Sequence, residues 1–484
     1  MSCSSLPPPR RQCYEQTIIQ VRLNGIRIGK IPGYSFLAIV LIGVYEAAYG
    51  MLAVRSSLGA CGHFDNPAGF AAFLAALFPF TLYFIGLRQK LSVVFGMTAA
   101  AVLLFAIALS GSRAGWIAVL VVGIYYLWPR LFSIWRYRSR CYKICILCCL
   151  GGFGTAGCIG LYHFKKDSAD GRILIWRNTV TMIADKPLFG HGTDGFRAQY
   201  MLYQADYFRK HPDSKYAMLA DNVQAPFNEY LRFAAEYGII GLLAVGSILW
   251  IILHCRQRRI PHFKVPFASL LGVGIMALFS YPFHYPALLV VSGIDFFMLA
   301  GICFDWRAWG KRVVGLSFLI MAGHSILSRI DQHHWQQAVG PRIDHTSVIR
   351  EYEKLASTKF NENPAFLYAY GLIQNREKRY IRSLEILDRY FRLRADVDAA
   401  IVQIDNHYRL GHYAKAWEWA VLASDMCPNR FIPLYYKVLI LDATGHLAEA
   451  KELARQVLSK SIKVRATDVY KVRVKLQHFL SVHS

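Results

Sequence analysis

Acidic side chains are scarce over most of the chain: residues 1–330 hold 14 Asp and Glu, whereas residues 331–484 hold 17. Charged residues of both signs make up 18% of the 484, against about a quarter in a soluble chain. The shortage excludes an ordinary single soluble domain. With 55% hydrophobic residues and a mean hydropathy of +0.28, disorder is excluded as well. Zinc spacing is missing too. Of 11 Cys, Cys141, Cys145, Cys148, Cys149 and Cys158 fall close together, mostly inside an apolar run, and no Cys-x-x-Cys pair has a second one at zinc spacing. They read as small apolar membrane residues. A cleavable signal peptide is also lacking, because residues 1–30 are polar, Pro-rich and basic. The net charge is +24, and +18 of it precedes residue 331. Such basicity raises nucleic acid as a partner. Here Lys and Arg cluster between apolar runs, which points to bilayer topology instead.

Apolar runs of roughly membrane length lie at 33–50, 67–86, 91–110, 114–128, 144–162, 231–253, 265–280, 287–304 and 313–327. They predict about nine helices, with Trp116, Trp128, Trp250 and Trp306 as interfacial anchors. Every second connection is basic, from Arg10, Arg11, Arg22, Arg27 and Lys30 to Arg307, Lys311 and Arg312. These connections are expected in the cytoplasm. The long loop 163–230 and everything after Ser328 then share the outer side, which in a bacterium is the periplasm. The expected fold is all-α: a basic cytoplasmic segment 1–33, a membrane domain 34–327 containing the outer loop 163–230, and a periplasmic helical domain 328–484.

In that last part Gly411-His-Tyr-Ala-Lys-Ala416 recurs as Gly445-His-Leu-Ala-Glu-Ala450, 34 residues on. A third copy one residue short of the period matches Tyr380 to Tyr413, and Pro428 closes the middle copy. The pattern resembles the tetratricopeptide repeat, whose units are helical hairpins. That resemblance implies either a groove for a protein partner or a lid on the membrane domain.

The outer loop contains Gly171-Arg-Ile-Leu-Ile-Trp-Arg177, then Asp185-Lys-Pro-Leu-Phe-Gly-His-Gly-Thr-Asp-Gly-Phe196. It runs on through Asp221-Asn-Val-Gln-Ala-Pro-Phe-Asn-Glu-Tyr-Leu231 to Glu236-Tyr-Gly-Ile-Ile-Gly241. Gly190, Gly192 and Gly195 lack the spacing of a nucleotide loop and read as a tight turn that lets backbone approach a ligand. Together with Gly111-Ser-Arg-Ala-Gly-Trp116 and Phe64-Asp-Asn-Pro-Ala-Gly69, these segments resemble the O-antigen ligase/polymerase family over about residues 50–305. The resemblance implies glycan transfer from a polyprenyl-diphosphate carrier on the periplasmic face of the inner membrane, with no metal or other cofactor. The implied acceptor is lipid A core, another glycan or a protein hydroxyl. One apolar run precedes the Phe-x-Asn-Pro-like loop, where family members often have more.

A diphosphate leaving group needs fixed positive charge, which Arg supplies as a bidentate fork. Arg113, Arg172, Arg177 and Arg55 are the outer candidates. The outer loop has no Asp-x-Asp pair for a divalent metal, which argues against a metal-dependent nucleotide-sugar transferase. The acceptor hydroxyl needs a base. Where the family has His-Asn, this chain has Phe227-Asn228, so Asn228 is kept as a substrate ligand while the base falls to His191, Glu229 or His284. The leading reading is an O-antigen ligase-like glycosyltransferase. A repeat-unit polymerase and a protein O-oligosaccharyltransferase are the alternatives within the class. An inactive scaffold recruiting envelope partners is the alternative outside it. A transporter fits less well, because Glu46 and Asp295 are nearly the only acids inside the apolar runs.

Overall fold

The computed structural model describes residues 22–23, 26–27, 31–52, 59–87, 89–142, 166–254, 261–303, 345–463 and 466–483, with isolated positions between 320 and 333. Outside these lie most of the basic N-terminal segment, Arg55, the predicted run 144–162 and most of 313–327. Apart from a two-residue antiparallel pair, Arg22–Leu23 with Ile26–Arg27, the described chain is helical. The apolar runs become α1 (Ile31–Leu52), α2 (Pro67–Gly86), α3 (Lys90–Ser110) and α4 (Arg113–Arg136). The outer loop forms α5 (Lys166–Asp185) and α6 (Gly195–Lys210), and leads into α7 (Glu229–Leu253). Two more apolar helices follow, α8 (Pro261–Ala277) and α9 (Pro286–Cys303). The C-terminal part supplies α10 (His345–Ala356), α11 (Pro364–Arg376), α12 (Tyr380–Leu393) and α13 (Val397–Arg409). It ends with α14 (Tyr413–Met426), α15 (Phe431–Ala443), α16 (Leu447–Ser459) and α17 (Thr467–Val482). Among the described residues, four segments are long and apolar enough to cross a membrane: Tyr34–Leu52, Pro67–Gly86, Lys90–Ser110 and Glu229–Trp250. The segments Arg113–Pro129, Phe263–Ala277 and Pro286–Ala300 are apolar but shorter.

The chain divides into two compact units. The first holds α1–α3, most of α4, α8 and α9. Its centre is α2, buried without a break from Gly69 to Thr81. Small residues let the neighbours close on it. A Cβ at Gly96 of α3 would stand 2.8 Å from the Thr81 carbonyl, and one at Gly115 of α4 would stand 3.0 Å from the Ala71 Cβ. Asn66 starts α2 by accepting a hydrogen bond from Gly69 N at 2.8 Å, with Pro67 pre-set for the first turn.

The second unit joins the outer loop to the C-terminal helices. Ile175, Met182, Phe196, Tyr200 and Met201 pack with Ala416, Ala420 and Ala423 of α14. The alanines sit at i, i+4 and i+7, so one narrow helix face admits large aromatics opposite. Polar side chains fix the register. Gln204 Nε2 donates to the carbonyls of Met426 (2.7 Å) and Asp221 (3.0 Å), while Asn429 Nδ2 donates to those of Ala220 (2.7 Å) and Met218 (3.1 Å).

The repeating hexapeptides mark equivalent turns. Gly411 and Gly445 hold φ of 74° and 83°, and Lys378 takes φ 58° at the third copy. Ala416 and Ala450 are fully buried, as is Ser383 in the third copy, where its hydroxyl donates to Gly371 O at 2.7 Å. The left-handed turn between successive helices costs little at Gly and more at Lys.

Candidate active site

In the first unit, polar groups gather where α1, α2, α3 and α9 meet short turns. Ala60 N donates to Leu109 O at 3.1 Å, which ties the turn before α2 to the end of α3. From there Gly111 (φ 63°) reverses the chain, the Ser112 hydroxyl accepts from Gly115 N at 3.2 Å, and Arg113 opens α4. Tyr285, almost buried, donates to Asp65 Oδ1 at 2.6 Å and meets Asn66 Nδ2 at 2.6 Å. A Cβ on Gly69 would stand 2.4 Å from the Tyr285 ring, so the Phe-x-Asn-Pro-like turn closes directly on that tyrosine. His284 precedes it, exposed and edge-on to the Tyr285 ring at 5.7 Å. At the same end His63 donates its backbone N–H to Glu46 Oε1 at 2.7 Å and its Nδ1 meets Glu46 Oε2 at 2.8 Å.

In the second unit, the Gly-x-Gly turn interlocks with a break in α7. Gly238 (φ 64°, ψ −164°) interrupts that helix and frees backbone groups on both sides. The turn takes them up. His191 N and Gly192 N donate to Ala235 O (2.8 Å) and Glu236 O (2.9 Å), while Ile239 N donates to Pro187 O (2.8 Å) and Ile240 N to Leu188 O (3.3 Å). A Cβ on Gly190 would stand 2.4 Å from the Glu236 carbonyl carbon, and one on Gly238 2.3 Å from Leu188 O. The glycines therefore serve a close approach, but to the chain's own helix rather than to a ligand.

Around this lock sits a mixed-charge cluster. Arg232 Nη2 pairs with buried Glu229 at 2.8 Å, Glu236 is also buried, and Arg197 reaches Asp194 at 3.3 Å. Burial presses the Arg197 guanidinium below its ordinary value, against the pull of Asp194. His191 places Nε2 at 2.9 Å from the Met182 carbonyl, a bond that requires the ring N–H there. Asn228 accepts from Leu231 N at 3.0 Å and so caps α7. Phe227 holds φ 53°, a left-handed conformation in which His and Asn are commoner than bulky residues. The Arg172 guanidinium lies over its ring at 5.5 Å, and Tyr281 packs on it at 5.6 Å. Arg177, exposed, stacks on Tyr207 at 5.2 Å.

Residues 98–246 match the family model for O-antigen ligase. The matched stretch runs from within α3 into α7. It contains Arg113, Arg172, Arg177, His191, the interlocked turn, Asn228 and Glu229. The O-antigen ligase match and the apolar helices together indicate a multi-pass membrane protein. An uncharacterized protein of Haemophilus influenzae (strain ATCC 51907 / DSM 11121 / KW20 / Rd) is 26% identical over 251 residues, 46% of this chain. The match spans 59% of that protein's length.

The described residues thus place Arg113 and His284 in the first unit, and Arg172, Arg177, His191, Asn228 and Glu229 in the second. Arg172 and Arg177 point to different neighbours, Phe227 and Tyr207, because five residues on a helix turn the side chain to another face. Sequence reasoning missed two clusters. Arg197, Arg232 and Glu236 gather only through the fold. Glu46 and His63 are 17 residues apart, and the signal was there: an acid within an apolar run needs a partner. An Asp-x-Asp pair does occur outside the outer loop, at Asp396-Val397-Asp398. There Asp396 caps α13 and accepts from the Tyr390 hydroxyl at 2.9 Å, while Asp398 faces Asn222 and Arg430.

Proposed function

We propose that the protein transfers a glycan from a polyprenyl-diphosphate carrier to an acceptor hydroxyl at the periplasmic face of the bacterial inner membrane, without a metal. The observation that carries this reading is the O-antigen ligase match over 98–246, which includes Arg113 and Arg172. In this reading Arg113, Arg172, Arg177 and Arg55 are the candidate diphosphate ligands, each through a bidentate fork, and Asn228 is a candidate substrate ligand. The acceptor is lipid A core, a growing glycan or a protein. The base is sought among His191, Glu229 and His284, of which His284 has the exposed ring. The C-terminal helices act as a tetratricopeptide-like array that takes a protein partner. Their union with the outer loop in one unit favours a protein acceptor as the second reading.

Arg113→Ala and Arg172→Ala, each at normal protein level, should lower transfer from purified lipid-linked donor by roughly 10²–10³-fold, the scale of losing one transition-state charge clamp. Arg113→Lys keeps the charge and loses the fork, so it should also be impaired. Undiminished transfer by both alanine variants rules out the diphosphate assignment. Topology reporters fused at Lys215 and Lys359 should both read periplasmic; a cytoplasmic signal at either one removes the site from the donor's side.

A further inference from the structure

Glu46 sits two turns from the end of an apolar helix, where an unpartnered carboxylate is costly. Both of its oxygens go to one residue. Oε1 accepts the His63 backbone N–H at 2.7 Å, and Oε2 lies 2.8 Å from His63 Nδ1. An ionised carboxylate only accepts, so Nδ1 carries the hydrogen and the Nε2 lone pair is left outward-looking on the ring. The imidazole is held flat on Tyr49, with centroids 3.8 Å apart and planes 12° apart, and Tyr45 stacks farther out at 6.1 Å. Even so, the His63 side chain is 51% exposed, and Nε2 has no hydrogen bond among the described residues. Backbone geometry is committed to the arrangement. Gly62 holds φ 56°, and a Cβ there would stand 2.2 Å from Glu46 Oε1.

A histidine whose one nitrogen is fixed by a buried carboxylate and whose ring is open to solvent is built to accept a proton. Position 227 has no such group, since it is Phe. His63 lies beside Asp65 and Asn66, in the turn tied to the end of α3, and three residues past that end Arg113 opens α4. A proton acceptor and a candidate diphosphate ligand thus share one end of one compact unit.

We propose that Glu46 and His63 form a general-base dyad, with His63 the catalytic residue and Glu46 its positioning residue. The proposal rests on the glycan-transfer reading above. The acceptor hydroxyl gives its proton to His63 Nε2 as its oxygen bonds to the anomeric carbon. The anomeric C–O bond to the carrier breaks, and its electron pair leaves on the diphosphate. Glu46 stabilises the imidazolium that forms and keeps Nε2 facing the acceptor.

Two measurements on the full chain in detergent test this. The first needs no glycan: carbethoxylation of His63 by diethyl pyrocarbonate, followed by peptide mass spectrometry. At alkaline pH, where the ring is neutral in both proteins, His63 should react in the wild type and more slowly in Glu46→Gln, whose neutral amide polarises the Nδ1–H less. Equal rates overturn the dyad, whatever the transfer result. The second is transfer from a polyprenyl-diphosphate glycan. His63→Gln should lower kcat by roughly 10²–10⁴-fold with KM for the donor unchanged, and Glu46→Gln should lower kcat less. A His63→Gln protein that transfers at the wild-type kcat overturns the assignment of His63. A wild-type chain that transfers no glycan to any acceptor overturns the glycan-transfer reading itself, while the carbethoxylation result still decides the dyad. Should His63→Gln fold poorly, the carbethoxylation comparison and the Glu46→Gln kinetics carry the test.

Discussion

His63 and His191 each follow a left-handed glycine in a tight turn, and they do opposite things. His191 stands between Gly190 and Gly192, and its Nε2 faces the Met182 carbonyl. A carbonyl carries no formal charge, so the bond fastens the turn without the charge pairing a carboxylate offers. His63 follows Gly62, and its Nδ1 faces a carboxylate. A carboxylate stabilises the protonated ring directly, which is what a base needs at the moment of transfer. The sequence puts His191, in an open position between two glycines, among the candidate bases and passes over His63. The partner atom, not the motif, separates the two.

Paired substitution is the sharpest way to break this comparison. His63→Gln should take the larger loss in kcat, on the scale given above. His191→Gln should take the larger loss in stability, about 1 kcal/mol for one neutral hydrogen bond. Thermal melting and steady-state transfer on the same two preparations read both numbers. A kcat loss at His191 as deep as at His63 would falsify the division of roles.

The glycines offer a second, smaller contrast. At Gly190 an added Cβ meets backbone, the Glu236 carbonyl carbon at 2.4 Å, and backbone in a locked turn cannot yield cheaply. Gly190→Ala should cost about 1–3 kcal/mol in backbone strain, with a further loss as the turn parts from α7. At Gly62 the same Cβ meets side chains instead, the end of Glu46 at 2.2 Å and the buried Phe70 ring at 2.9 Å. That carboxylate can swing away, but only by releasing His63. Gly62→Ala should therefore fold better than Gly190→Ala yet lose transfer. Expression yield and melting temperature, set against specific activity, check the ordering, and equal melting losses at both sites would erase it.

Much of the fold is written in hydropathy, because a bilayer demands apolar length and little else. The runs at 67–86 and 91–110 coincide with α2 and α3 almost to the residue. The run at 114–128 predicts a short helix, whereas α4 extends to Arg136 and carries Pro129 inside it. The repeat turns are legible from Gly411 and Gly445, and the third through Tyr380, although Lys378, a residue that rarely takes φ above zero, stands in the glycine's place. The site was less legible. Its decisive pairs, Glu46 with His63 and Tyr285 with Asp65, join residues that only close packing brings together. The Gly-x-Gly motif showed that backbone comes close there, without showing to what.

A third histidine extends the comparison to a ring with neither kind of partner. His407 of α13 is partly buried, and its Nδ1 has no hydrogen bond among the described residues. Burial lowers its pKa, and neighbouring His412 and Lys415 push the same way against Asp388 and Glu418. The unfolded chain then takes up the proton first, near the ordinary histidine value of about 6.5. Stability contributed by neutral His407 is present above that pH and drains away as pH falls through it toward the lower folded value. The full chain should melt at a lower temperature at pH 5.5 than at pH 7.5 for this reason among others, and His407→Leu should remove part of the difference. The effect should be the smallest of the three, because one half-exposed ring can still reach water. An identical pH dependence in His407→Leu would mean that the burial of this ring costs nothing on protonation, and that the acid-side loss belongs to the carboxylates.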